Sequence, residues 1–220
     1  IAATTMTTPF IDVFQELYLC ENIQFNNCLS NKPPDNTTIK TFKGSVFAIL
    51  SGSKKAPNFV AKFLIPALKT QLETRRLSEK GIFNSLKLTF PQLDAACYRR
   101  GITGRVSLIV ILTLGRRIWV ANIGHGRAFF VPDRLLTPKD VELIPIALSV
   151  ATDLGDPIFR KSAEKRGGKI TKVPTSMGPV LVVGTLNHAR VIGGHHDGCS
   201  KSIGARPKIA CLKLTEEGYL

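Results

Sequence analysis

Residues 106–123 read Val106-Ser107-Leu108-Ile109-Val110-Ile111-Leu112, then Thr113-Leu114-Gly115-Arg116-Arg117, then Ile118-Trp119-Val120-Ala121-Asn122-Ile123. The outer pieces are the most hydrophobic pair of segments in the chain. Each is strand-sized, and the glycine-containing joint between them suits a β-hairpin. Leu108 to Leu112 runs without a polar residue, so this strand predicts cover on both faces and therefore a sheet inside a layered sandwich. Ala128 to Val131 reads as a third strand.

Outward from the hairpin, Val46, Phe47, Ile49 and Leu50 make a short apolar run between Gly44 and Gly52, which predicts a buried strand over Lys43 to Leu50. Ala56, Phe59, Val60, Phe63, Leu64, Ala67, Leu68 and Leu72 recur at helical steps, with Lys55, Lys62 and Lys69 outward and Pro66 expected to kink or restart the helix. A second helix is predicted over Pro91 to Arg100, with Pro91 in its first turn and Gly101 ending it. A third covers Asp156 to Lys165, with Asp153 near its start and Gly167-Gly168 as its stop. Val180 to Val183 and part of Pro207 to Leu214 are further strands. Strands and helices come in groups, which argues for an α+β class over a doubly wound parallel sheet.

Residues 1–42 carry weak periodicity and an Asn/Pro-rich stretch from Asn26 to Asn36, and read as an amino-terminal arm or peripheral segment ahead of a domain over 43–220. With 220 residues, 44% hydrophobic and 21% charged, the chain is long and apolar enough to bury a core. No apolar run approaches the roughly 18–20 residues of a membrane-spanning helix. Thirty Lys and Arg against sixteen Asp and Glu give a net charge of +14, a surplus that opposes compaction unless an acidic or polyanionic partner offsets it. Cys20, Cys28, Cys97, Cys199 and Cys211 are odd in number, scattered and unpaired at metal-ligand spacing, so they read as reduced thiols of an intracellular protein, with the Asn36-Thr37-Thr38 sequon incidental. The non-Met start fits a removed organellar targeting peptide or a trimmed end.

The ordered landmarks resemble the metal-dependent Ser/Thr protein phosphatases of type 2C. Val120-Ala121-Asn122-Ile123-Gly124-His125-Gly126-Arg127-Ala128 is similar to that family's V-A-N-V-G-D-S-R-A. Thr103-Gly104-Arg105-Val106-Ser107 sits where the family has S-G-S-T-A, and Phe47-Ala48-Ile49-Leu50-Ser51-Gly52-Ser53 resembles F-G-V-F-D-G-H. Downstream, Leu136-Thr137, Arg166-Gly167-Gly168-Lys169-Ile170, the run Gly184 to Gly193, Pro207-Lys208-Ile209 and Leu214 to Leu220 follow the family's remaining landmarks in order. The resemblance covers roughly residues 44 to 220. It implies a four-layer αββα sandwich, two antiparallel sheets flanked by helices, with a two-metal site at one end.

At the positions this resemblance implies for that site, the carboxylates are missing. Ser51 stands before Gly52 in place of the first metal-binding Asp, Ser53 replaces the following His, Gly193-Gly194 replaces a G-D pair, and His125 replaces the Asp of V-G-D-S-R. Residues 1–43 hold no match to the early M-E-D motif, and the chain ends before the later D-G and D-N motifs. Divalent hard cations need converging carboxylate oxygens, which a hydroxyl does not replace in charge or bidentate capacity. The expectation is therefore a pseudophosphatase: not an enzyme, no metal, no cofactor and no small-molecule substrate.

Other constellations are weaker. His188, His195, His196, Asp197 and Cys199 are the tempting metal cluster, but the adjacent histidines project differently and no ligand-pair knuckle accompanies them, so the stretch reads as a polar Gly-rich loop. His125 reads as a surface or turn histidine. The cations cluster at helix ends and turns, where they reach phosphates without disturbing a core. Arg99, Arg100, Arg116, Arg117, Lys165 and Arg166 are the candidate RNA contacts. One Trp and three Tyr argue against base stacking and for backbone contact with folded RNA.

The expected role is a structural or assembly component of a larger complex, a ribonucleoprotein such as a mitochondrial ribosome or its assembly intermediate. Its partners would be RNA and/or proteins and no membrane. Two rivals stand beside it: a protein-binding pseudophosphatase that regulates a kinase or phosphatase, and an active phosphatase that takes metal ligands from the amino-terminal region, from Asp153 or Asp156, or from beyond Leu220.

Overall fold

The computed structural model describes residues 14–28, 39–131, 145–196 and 202–214. The Asn36 sequon, Leu136-Thr137, Asp197, Cys199 and residues 215–220 lie outside them. The elements in chain order are β1 (Phe14–Cys28), β2 (Ile39–Ser53), α1 (Ala56–Glu73), α2 (Glu79–Arg99), β3 (Arg105–Leu114), β4 (Arg117–Ile123), β5 (Phe129–Phe130), β6 (Ile146–Ala147), α3 (Pro157–Lys165), β7 (Ile170–Val173), β8 (Val180–Val183), β9 (Ile192–Gly193) and β10 (Lys208–Lys213).

Among the described residues the main sheet has six strands in the order β1-β2-β3-β4-β10, with β9 paired to the start of β3. Every pairing in it is antiparallel. The hairpin read from residues 106–123 is β3–β4, with Leu114 opposite Arg117 and the turn at Gly115-Arg116. Alternation sorts its side chains onto two faces. Val106, Leu108, Val110 and Leu112 with Trp119, Ala121 and Ile123 join the core under α1 and α2. Ile109, Ile118 and Val120 pack the opposite way, against Ala128, Phe130 and Leu148. The unbroken apolar run of β3 is thus explained by cover on both sides.

The result is an α+β fold of antiparallel sheets and helices. Two short ribbons, β5–β6 and β7–β8, stand apart from the main sheet among the described residues, and Phe130 of β5 packs on its second face. Ala128 to Val131 supplies β5 to the first of these and does not extend the main sheet. That ribbon leaves part of the main sheet's second face open. Phe47 and Ile49 of β2 and Tyr18 of β1 are exposed there. Together with Cys20, Ile111 and Phe129 they line an apolar groove of about 500 Å³.

Three readings need correction. Residues 14–28 are not a peripheral arm: β1 pairs with β2 along its whole length, and Ile23 and Phe25 are in the core. The reading missed them because β1 is an edge strand with one face solvated and an Asn-rich end. The second helix does not begin at Pro91; α2 starts at Glu79, with the Ser78 side chain capping the Gly81 N–H, and Pro91 lies inside it. Pro66 likewise lies inside α1 and does not divide it. In both helices the buried stripe against the sheet outweighs the one backbone bond that proline removes.

The carboxy-terminal half of the chain builds a separate small core. Leu154, Phe159 and Ala163 pack against Val183, Leu186, Ala189 and Val191. Asp156, rather than Asp153, caps α3 by accepting the Ile158 N–H at 2.7 Å. Among the described residues no helix is long and apolar enough to cross a membrane.

Candidate functional site

One end of the main sheet gathers the stretches that the sequence reading singled out. β2 finishes at Ser51-Gly52-Ser53, with Ser51 opposite Ser107 and Gly52 opposite Val106. β9 brings Gly193 opposite Arg105. Gly104 is the point where these pieces touch. Its φ of +90° is left-handed, and a Cβ there would overlap the Ser53 carbonyl oxygen. Its own carbonyl accepts the Gly194 N–H at 2.8 Å. A side chain at position 104 would therefore be strained and would push β2 and β9 apart. Ser51, Gly52, Ser53 and Gly194 thus lie at one end of the main sheet.

Ser53 is buried and its hydroxyl has no hydrogen-bond partner among the described residues. The carboxylate nearest to this convergence in the hydrogen-bond network is Asp94, on the inner side of α2. Its Oδ1 accepts the Gly193 N–H at 2.7 Å and lies 2.9 Å from His195 Nε2. Burial pushes the Asp94 carboxyl above its ordinary range, while the Gly193 hydrogen bond and the His195 charge act the other way. The sequence reading missed Asp94. A signal existed, an acid within the apolar stripe of Leu93 and Cys97, but its partners lie 99 residues away or more.

His125 follows β4 and is exposed, a turn histidine as read. Its ring meets that of His188 edge-on, with centroids 3.4 Å apart and an interplanar angle of 88°. His188 is buried and its Nδ1 has no hydrogen-bond partner among the described residues. Burial first, then the charges of His125 and Arg105, hold His188 down at about 3, so it is neutral at physiological pH. Burial lowers His125 as well, with Asp153 opposing. His195 turns away to Asp94, so the histidines do not form one cluster. Among the described residues no group of three or more His, Cys, Asp or Glu is placed to hold a metal ion.

The candidate RNA contacts do not form one patch. Arg99 and Arg100 end α2, and Arg100 lies over the rings of Phe63 and Phe59 at 4.8 and 5.4 Å. Arg116 is exposed in the β3–β4 turn, while Arg117 pairs with Glu79. Lys165 is exposed at the end of α3. Arg166 is a packing residue: its guanidinium donates to Ser202 O, Ala189 O and the Ser162 hydroxyl at 2.7–3.1 Å. It caps α3 against the following loops and has few donors left for a ligand.

No family profile matches the chain. Over 150 residues it is 26% identical to Probable protein phosphatase 2C 41 of rice, Oryza sativa subsp. japonica, a match that takes in 67% of this chain and 48% of the rice protein. The chain thus spans about half the length of the curated relative it matches. Among solved structures, a sex-determining protein of C. elegans superposes with a TM-score of 0.63 at 14% identity, over 91% of this chain and 50% of that one. The serine-threonine phosphatase 2C of Toxoplasma gondii superposes with a TM-score of 0.59 at 12% identity, over 94% of this chain and 80% of that one. In fold, and in the order of its sequence landmarks, the chain is protein phosphatase 2C-like.

Proposed function

We propose that the chain is a catalytically inactive phosphatase 2C-like protein that serves as a structural or assembly component of a larger complex. One observation carries the first half of this reading. Ser51, Gly52, Ser53, Gly193 and Gly194 lie at the end of the sheet where Gly104 touches Ser53 and Gly194, and none of the five bears a carboxylate. Two-metal phosphoryl hydrolysis needs closely spaced hard cations held by carboxylate oxygens. A serine hydroxyl and bare glycine backbone supply neither the charge nor the bidentate grip. Asp94 is a single carboxylate, already engaged by Gly193 and His195. The described residues at this end of the sheet do not fit a two-metal centre, and no hydrolytic step is assigned to them.

The second half rests on charge. A surplus of +14 favours a polyanionic partner, and the exposed cations sit at turns and helix ends. We take that partner to be folded RNA within a ribonucleoprotein, such as a mitochondrial ribosome or its assembly intermediate. The apolar groove beside Phe47 and Ile49 favours protein contacts in the same complex. The test is binding of a 24-nucleotide RNA hairpin across a salt series, with wild type and the R116E/R117E double variant. Binding whose logarithm falls linearly with the logarithm of salt, and which the double variant weakens, is expected. No binding by wild type at low salt contradicts the RNA assignment, and retention of full binding by the variant contradicts a contact at Arg116 and Arg117.

A further inference from the structure

Phe159, on α3, is a buried ring with two cations over it. The Arg190 guanidinium carbon lies 5.1 Å from the ring centroid and Lys208 Nζ lies 5.5 Å from it. Arg190 also donates to the backbone carbonyl of Arg206 at 2.6 Å, which anchors it beside a third cation. Arg206 and Lys208 are exposed, and Arg190 is half-buried. Arg166 stands behind the group, braced by Ser202 O and Ala189 O. No carboxylate of a described residue pairs with Arg190, Arg206 or Lys208.

Such crowding is unfavourable in the free protein. Burial, then the charges of Arg166 and Arg206, depress the pKa of Arg190. The Phe159 ring positions the cations without neutralising them, because a ring quadrupole carries no net charge. Arg190 is fixed by the ring and a backbone hydrogen bond, so little side-chain freedom remains to be lost when an anion docks. The buried ring offers no platform for a base, so recognition is through charge and the planar fork of arginine, the chemistry that suits phosphate oxygens.

We infer that Arg190, Arg206 and Lys208 form a phosphate-binding site for the backbone of RNA, distinct from the arginine pairs at residues 99–100 and 116–117. The inference rests on the reading of RNA as the polyanionic partner. It moves the main contact from the β3–β4 turn to the surface beside α3. Binding there is independent of base sequence and sensitive to salt.

The test uses the full chain, the same 24-nucleotide hairpin and a salt series. The variant R206Q/K208Q removes two exposed charges at the site; K80Q/K87Q removes two exposed charges from α2 as a matched control. Each phosphate contact contributes about 0.7–0.9 to the log–log salt slope, so R206Q/K208Q is expected to flatten it by roughly 1.5 while K80Q/K87Q leaves it near wild type. The single variant R206Q, expected to flatten it by about half as much, covers the case in which the double variant loses its fold. If wild type binds and R206Q/K208Q keeps the wild-type slope, or K80Q/K87Q flattens it equally, this site is wrong and the RNA reading stands. If wild type does not bind the hairpin at low salt, the RNA reading and this site fail together.

Discussion

Asp94 of α2 accepts the backbone N–H of Gly193 at 2.7 Å, and the same oxygen lies 2.9 Å from His195 Nε2. This contact ties the inner helix to the end of the sheet where β2, β3 and β9 converge. Replacement by Asp94→Ala leaves the N–H of buried Gly193 without an acceptor and is expected to cost about 1–3 kcal/mol of unfolding free energy, read from urea titration. The carboxyl also leaves a pH signature. Because burial raises its pKa above the ordinary 3.8, the folded chain holds that proton more tightly than the unfolded chain does. Its contribution to stability therefore declines as pH climbs through a window opening at about 3.8. The difference between wild type and Asp94→Asn should show that decline; a pH-independent difference argues against it.

His188 predicts a dependence of the opposite sign. Its burial, reinforced by His125 and Arg105, lowers it from 6.5 to about 3, so the unfolded chain binds a proton that the folded chain refuses. The stability linked to this group is complete above about 6.5 and is lost as pH falls toward about 3. His188→Leu keeps the site apolar and removes the titration, so the variant should lose less stability than wild type between those limits. Parallel pH profiles would show that His188 does not carry this linkage.

Gly104→Ala places a Cβ against the Ser53 carbonyl oxygen at a φ of +90°. Backbone strain alone is of order 1–3 kcal/mol, and the overlap adds to it. Thermal unfolding should shift down by several degrees or more, and amide exchange at the β2 end and at Gly194 should quicken relative to the β3–β4 hairpin. An unchanged midpoint is incompatible with the close approach.

Cys97 is fully buried, and burial together with Asp94 pushes its thiol up to about 12. Cys20 and Cys211 are exposed. Alkylation followed by peptide mapping should modify Cys20 and Cys211 in the native protein and Cys97 only in denaturant. Rapid native labelling of Cys97 would mean that α2 does not pack as described.

How much of this was legible in the sequence depends on whether a signal was local. Leu108 to Leu112 and Ile118 to Ile123 announced the hairpin because five uninterrupted apolar residues fit a strand covered on both faces, as Val110 and Ile109 turn out to be. The α3 segment was legible from Asp156, Pro157 and Gly167-Gly168. β1 was not, since Leu17, Leu19, Ile23 and Phe25 alternate with polar residues and run into asparagines. The first half of α2 was obscured by Gly81, Asn84 and Ser85, which are poor helix formers, although Ser85 is anchored by hydrogen bonds to Gln71 O and Gly81 O. The site divides the same way. Ser51 and Gly194 were found through motif order, whereas the bond from Asp94 to Gly193 and the gathering of Arg190, Arg206 and Lys208 around Phe159 exist only once distant segments pack.

The most direct measurement is a manganese and magnesium titration of the full chain with a phosphothreonine peptide, following released phosphate. The account predicts no metal-dependent turnover at any concentration, because Ser51 and Gly194 offer no carboxylate at the convergence around Gly104. Saturable, metal-dependent release that disappears in a single Asp94→Asn or Asp153→Asn variant would contradict it.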